Sequence, residues 1–162
     1  MPLPSKKAVR DALHAALASA HEAVVEAARS AREGATHEES RAEGDKDMRS
    51  TEQSYLARGQ AMRAEELAEQ LQRFELTPLP AFGPGDPIRA GALVRLAIED
   101  DERVVLIVAQ GGGTALEVDG VSVTVVTPSS PLGTALLGRR EGDDFELEIR
   151  GRRREHVIQE IA

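Results

Sequence analysis

A chain of 162 residues is long enough for one or two small domains, so one modest core with an appended element is the upper bound. The absence of cysteine excludes disulfides and thiolate metal sites and fits the reducing cytoplasm. A net charge of −8 excludes a broad counterion-release surface for nucleic acid, so any route to nucleic acid runs through a protein partner. Aromatic residues make up only 2% of the chain, and its cores must be built from Leu, Val, Ile and Ala.

The opening Met1 to Lys7 leads into an amphipathic pattern rather than an apolar secretory segment, and no run approaches membrane-spanning length. A soluble cytoplasmic protein is expected. From Lys6 to Glu33, Leu13, Leu17, Ala20, Val24, Ala27 and Ala31 recur at spacings of four and three, a narrow heptad seam. A second helical pattern covers about Thr51 to Glu75, with Leu56, Ala57, Ala64, Leu67, Leu71 and Phe74 on its apolar side. Neither helix can bury its stripe alone, which predicts an antiparallel hairpin with arms of roughly 40 Å at 1.5 Å per residue. The larger apolar residues gather at its open end, and alanine dominates toward the tip.

Between the helices, Glu33 to Glu52 holds Glu33, Glu38, Glu39, Glu43, Asp45, Asp47 and Glu52 against Arg41, Lys46 and Arg49, a local balance of 3 − 7 = −4. Acids at the tip of a hairpin cannot serve packing. They suit a metal ion or a cationic surface. The sequence has no HExxH, and no second histidine stands at helical ligand spacing from His37, so His37 is expected to be exposed. His14 and His21 are expected on a solvated flank of the first helix.

Pro78, Pro80, Gly83, Pro84, Gly85 and Pro87 make Thr77 to Pro87 irregular, a linker. After it the periodicity becomes two, with strands expected at Ala92–Ile98, Val104–Ala109, Val121–Val126, Phe145–Ile149 and His156–Ile161. Glu99 to Glu102 reads as a hairpin turn, and so does the stretch around Gly151. Gly111-Gly112-Gly113 is a flexible connection, because no Gly-Lys-Ser/Thr follows to make a phosphate loop. Ser129-Ser130-Pro131 predicts a helix start with a serine N-cap and proline at the first position, ended by Gly138. The second half is thus a sheet of four or five strands with one short helix. Arg150, Arg152, Arg153 and Arg154 form a basic cluster that reads either as a solvated turn or as a phosphate contact.

The order of parts resembles the bacterial Gre (GreA/GreB) transcription elongation and transcript-cleavage factors. The resemblance is carried by Ser130-Pro131-Leu132, Ala135-Leu136-Leu137-Gly138 and the acidic turn Glu141-Gly142-Asp143-Asp144, placed before the final hairpin. It implies an α+β chain: a coiled-coil hairpin over 1–76 with an acidic tip near 34–50, a linker over 77–87, and an FKBP-like antiparallel sheet domain with one short helix over 88–162. It further implies a monomeric cofactor of RNA polymerase rather than an enzyme. Such a factor docks at the secondary channel through Ser130, Pro131 and Leu132 and presents Asp45, Asp47, Glu43 and Glu39 to active-site Mg²⁺. Asp45 and Asp47 would hold the metal only in the polymerase complex, and the chemistry would be the cleavage of backtracked transcripts.

The family's tip motif, roughly Gly-Asp, two residues, then Glu-Asn, a small residue and Glu-Tyr, is matched here by Gly44-Asp45. Met48 stands at the strict spacing of the second carboxylate, with Asp47 beside it. A secondary-channel inhibitor or competitor of the same family is therefore the alternative. From another class, the alanine seam also permits a coiled-coil adaptor. Prolyl isomerase activity is not expected, because the sheet domain offers only Phe82 and Phe145 to an aromatic pocket.

Overall fold

The computed structural model describes the backbone of residues 1–39 and 47–162, and the side chains of 1–34, 51–52 and 54–162. Helix α1 spans Lys6–Glu39 and helix α2 spans Asp47–Glu75. Strands β1 (Leu93–Ile98), β2 (Asp101–Ile107), β3 (Ala115–Val118) and β4 (Val121–Val126) precede helix α3 (Pro131–Leu136), and β5 (Asp144–Ile149) and β6 (Arg152–Ile161) close the chain. The expected α+β order holds. By contacts the chain divides into two compact units, Met1–Ala15 with Arg73–Ala162, and Ala16–Gln72.

The start of α1 is set by Ser5, whose Oγ accepts from the Ala8 amide at 3.1 Å while its carbonyl takes the Val9 amide. Both helices run further into the acidic stretch than the apolar pattern predicts. Ala35, Glu38 and Glu39 are strong helix formers that carry α1 past Gly34, and Asp47 is an acid at a helix N-terminus, where the dipole favours it. Helix covers 34–39 and 47–50 of the predicted tip, and residues 40–46 lie outside the described residues.

In the unit Ala16–Gln72, the half-buried line on α1 runs Leu17, His21, Val24, Ala28, Ala31. This corrects the expected seam, since Ala20 and Ala27 are exposed while His21 and Ala28, one residue further on, are half-buried. On α2 the line is Ala57, Ala61, Ala64, Leu67, Leu71, while Leu56, expected in the seam, is 54% exposed. In the other unit, His14 near the start of α1 contacts Glu75 at the end of α2 at 2.9 Å, so the two helices run antiparallel.

The sheet has six strands in the order β3-β4-β2-β1-β6-β5. It is antiparallel except for β2 and β4, which pair in parallel, a departure from the expected wholly antiparallel sheet. The parallel pair arises because the chain leaves β2, passes β4's position, and returns through the β3–β4 hairpin. β3 is a strand beyond those the alternation predicts. Its signal is Asp119-Gly120, a two-residue loop with positive φ at both positions, the turn that twists with its strands. The triple glycine before it is no loose connection, since Gly113 donates to the Val125 carbonyl at 2.8 Å and Thr114 continues the pairing with Val125.

Both faces of the sheet bury apolar side chains, Leu93, Val104, Leu106, Val123 and Val125 on one, and the face toward α3 carries a cluster of its own. Val94, Leu96, Ile98, Val105, Ile107, Phe145 and Ile158 meet Leu132 and Leu136 of α3 and Ile88 before β1. The predicted linker belongs to this unit. Phe82 packs on the core, Ile88 exchanges backbone bonds with Gly138 and Arg139, and Arg140 Nε donates to the Gly85 carbonyl at 2.9 Å. Proline-rich irregular chain is here fixed by side-chain and backbone partners rather than left as a tether.

Candidate functional site

Of the four expected tip carboxylates, Glu43 and Asp45 lie outside the described residues. Glu39 and Asp47 are described as helical backbone only. His37 is likewise known only as part of α1. Among the described residues no three of His, Asp and Glu gather in a way that would hold a metal ion.

The expected docking residues sit at the N-terminus of α3. Ser130 is the N-cap, as its sequence context predicts: its Oγ accepts from the Gly133 amide at 3.1 Å and donates to the Thr127 carbonyl at 2.7 Å. Pro131 occupies the first helical turn, where its missing N–H costs nothing, and it is exposed. Leu132 differs from the expectation. It is 7% exposed and belongs to the core, so its side chain serves the α3-to-sheet packing and only Pro131 and part of Ser130 face outward. Gly133 escaped the sequence reading, although a Cβ there would stand 2.0 Å from the Thr127 carbonyl oxygen. The acidic turn is also structural in part, because Asp143 Oδ2 accepts from the Arg140 amide at 2.7 Å and the Gly142 amide donates to Ile158.

Phe82 lies between two cations. Lys6 Nζ is 4.4 Å from its ring centroid and the Arg89 guanidinium 4.9 Å, and Lys6 also donates to the Pro80 carbonyl. Burial, and then the neighbouring Arg89 charge, lower the Lys6 pKa to about 8 from 10.5. The folded chain therefore gives up this proton before the unfolded chain does. Below pH 8 both states are protonated and the full penalty of the half-buried ammonium is present. Between pH 8 and 10.5 the unfolded state binds more protons, so stability rises with pH. The chain has only three lysines and one tyrosine, which leaves few other groups titrating in that window. The urea midpoint of the wild-type chain should rise from pH 8 to pH 10, and Lys6→Met should flatten that rise. Its size should be a fraction of the full linkage of about 1.4 kcal/mol per pKa unit, because the ammonium remains half in water.

The remaining candidates resolve into packing and pairing. His14, expected on a solvated flank, meets Glu75, and His21 falls on the half-buried line of α1. Phe145 is buried and stacked on His156, with ring centroids 5.0 Å apart and planes 14° from parallel. The basic cluster divides between the two sheet faces: Arg153 meets Glu146 and Glu148 at 3.6 and 3.8 Å, while Arg150, Arg152 and Arg154 line a groove on the opposite face.

No family model matches the chain, and no curated protein matches it. Among solved structures, one described as the transcription factor Gfh1 is 22% identical, with 93% of each chain covered and a TM-score of 0.41. The GreA factor homolog 1 (Gfh1) of Thermus thermophilus is 23% identical, covering 92% of this chain and 94% of that one at a TM-score of 0.38. A prokaryotic transcription elongation factor GreA/GreB from Nitrosomonas europaea is 23% identical over 60% of this chain and 77% of its own, at a TM-score of 0.36. No helix among the described residues is long and apolar enough to cross a membrane.

Proposed function

We propose that this chain is a transcription elongation factor of the Gre type, which binds RNA polymerase at its secondary channel and carries carboxylates to the active site on the end of a helix pair. The observation that carries the reading is the pair of uninterrupted helices, 34 and 29 residues long, separated only by 40–46 and followed by the sheet unit with its Ser130-capped α3. At 1.5 Å per residue these helices extend about 51 and about 44 Å, far more than a local packing element needs. Asp45 and Asp47 would hold Mg²⁺ in the polymerase complex, with Glu43 and Glu39 adding negative charge nearby. An all-carboxylate donor set fits Mg²⁺, which takes oxygen ligands and keeps several waters. When bound, the metal supplies charge stabilisation to an attacking and a leaving oxygen. The part of this chain is to position carboxylates and to exclude bulk; the reaction belongs to the polymerase. Pro131 and the exposed side of Ser130 are the docking contacts offered by α3.

Met48, at the spacing where the family's second carboxylate stands, favours a second reading, occupation of the channel without cleavage. Pull-down of core RNA polymerase and a cleavage assay on a stalled, backtracked transcript separate the two. Binding with cleavage is the expected result, and the Asp45→Ala, Asp47→Ala double variant should abolish cleavage while leaving helical circular dichroism unchanged. Binding without cleavage selects the inhibitor or competitor. No binding removes both.

A further inference from the structure

A groove on the α3-facing side of the sheet has a volume of about 600 Å³ and is lined by Ile98, Leu147 and Ile149, by Arg103, Arg150, Arg152 and Arg154, and by His156. Strand parity builds it. Side chains two apart on a strand share a face, so Arg152, Arg154 and His156 continue the line that ends in core Ile158, and Arg103 continues the line of Val105 and Ile107. Register places Leu147 opposite Arg154, Ile149 opposite Arg152, and Ile98 opposite His156. The groove is the stretch of this face that lies at the turn ends of the β1–β2 and β5–β6 hairpins.

The charges are sorted. The acids of the final hairpin, Glu146, Glu148 and Glu155, alternate onto the other face, where Arg153 meets the first two. Among the described residues no carboxylate lines the groove, and on β1, β2, β5 and β6 its face carries one acid, Asp101 at the β1–β2 turn. The guanidinium groups of Arg103, Arg150, Arg152 and Arg154 have no ion-pair or hydrogen-bond partner among the described residues, although the chain carries 28 acids. Arg29, Arg63, Arg95 and Arg153, by contrast, all meet glutamates. Four unpaired guanidiniums around one depression repel one another and are stabilised by an anion between them.

His156 adds a directed group. It is 4% exposed and stacked on Phe145, and its Nδ1 lies 3.0 Å from the Arg154 carbonyl, which can only accept, so Nδ1 carries a proton. Nε2 of this buried ring has no protein partner among the described residues, and the ring lines the groove. It accepts when the ring is neutral and donates when the ring is cationic.

We infer that this groove is a binding site for a small organic polyphosphate, a nucleoside polyphosphate by class, held by Arg103, Arg150, Arg152 and Arg154 with its less polar body on Ile98, Leu147 and Ile149. Guanidinium forks bind phosphate oxygens in pairs, and the volume falls within the range of small-ligand sites. The negative charge of the rest of the chain disfavours a long polyanion running beyond the groove. The inference is independent of polymerase binding, and its test uses the full chain alone.

The probe is ATP, titrated calorimetrically beside inorganic tripolyphosphate and adenosine. Saturable ATP binding is expected, with tripolyphosphate at least several-fold weaker and adenosine silent. Arg152→Ala with Arg154→Ala should weaken ATP at least tenfold, and Arg153→Ala, on the opposite face, should leave it unchanged. All three positions are solvent-accessible, so circular dichroism should report intact folding throughout. Three results overturn the assignment: no saturable ATP binding at millimolar concentration, equal affinity for tripolyphosphate and ATP, or equal loss from Arg153→Ala and the double variant.

Discussion

Gly133→Ala should destabilise the sheet unit by about 3 kcal/mol or more, at the upper end of what overpacking costs. A Cβ at this position would lie 2.0 Å from the Thr127 carbonyl oxygen, 2.9 Å from its carbon and 3.0 Å from Ser130 Oγ. None of these is the yielding end of a long side chain. The Thr127 oxygen already receives the Ser130 amide and hydroxyl, and Ser130 Oγ receives the Gly133 amide, so the intruding methyl meets the whole cap at once. Relief requires lifting α3, and that exposes Leu132 and Leu136, both buried against the sheet. Ser130→Ala provides the scale, since loss of the cap alone costs about 1 kcal/mol. Urea unfolding of the two variants beside the wild type measures the difference. A Gly133→Ala loss no larger than that of Ser130→Ala would mean that the helix can shift freely on the sheet.

Phe74→Ala should cost about 3–5 kcal/mol. The ring has no exposed surface, and the chain has only three phenylalanines and no tryptophan with which to fill space. Arg10 lies over it at 5.5 Å and donates to the Thr77 carbonyl at 2.5 Å, so the ring also orients the contact between the start of α1 and the chain leaving α2. Truncation leaves a cavity and removes the surface on which Arg10 rests. Tyr55→Ala and Leu56→Ala are the contrast: both side chains are more than half exposed on the same helix, and changes there should stay within about 0.5 kcal/mol. Chemical denaturation of the three variants reads the ranking.

The two helices, the change of period at the proline-rich segment, and the Ser130 cap were legible because each rests on local pattern. Apolar spacing, alternation and capping chemistry are written within a few residues of where they act. The helix ends near the acids were not legible, because Ala, Glu and Asp continue a helix without any apolar signal. The seam shifted from Ala20 and Ala27 to His21 and Ala28 because alanine marks either side of a helix equally well. β3 escapes the alternation although Asp119-Gly120 announces its turn, since four residues beside a triple glycine carry little alternation of their own. The parallel β2–β4 pairing is a choice among distant partners, which no local pattern encodes.

The candidate site divides in the same way. Ser130 and Pro131 have the roles their types predict, whereas the burial of Leu132 follows from the face that α3 turns to the sheet. The arginine cluster was visible as composition, but its sorting depends on register. Only the pairing of β5 with β6 puts Arg153 among glutamates and leaves Arg152 and Arg154 without them, and only β1 brings Arg103 to the same face.

The strand order leaves β3 and β5 outermost, each paired with a strand on one side only. β3 is only four residues long, and β5 carries Asp144, Glu146 and Glu148 along six. Two copies of β5 laid side by side would bring these carboxylates together, and β3 offers too short a template for stable strand addition. Protection against edge-to-edge aggregation is thus contained in the lengths and charges of the two boundary strands.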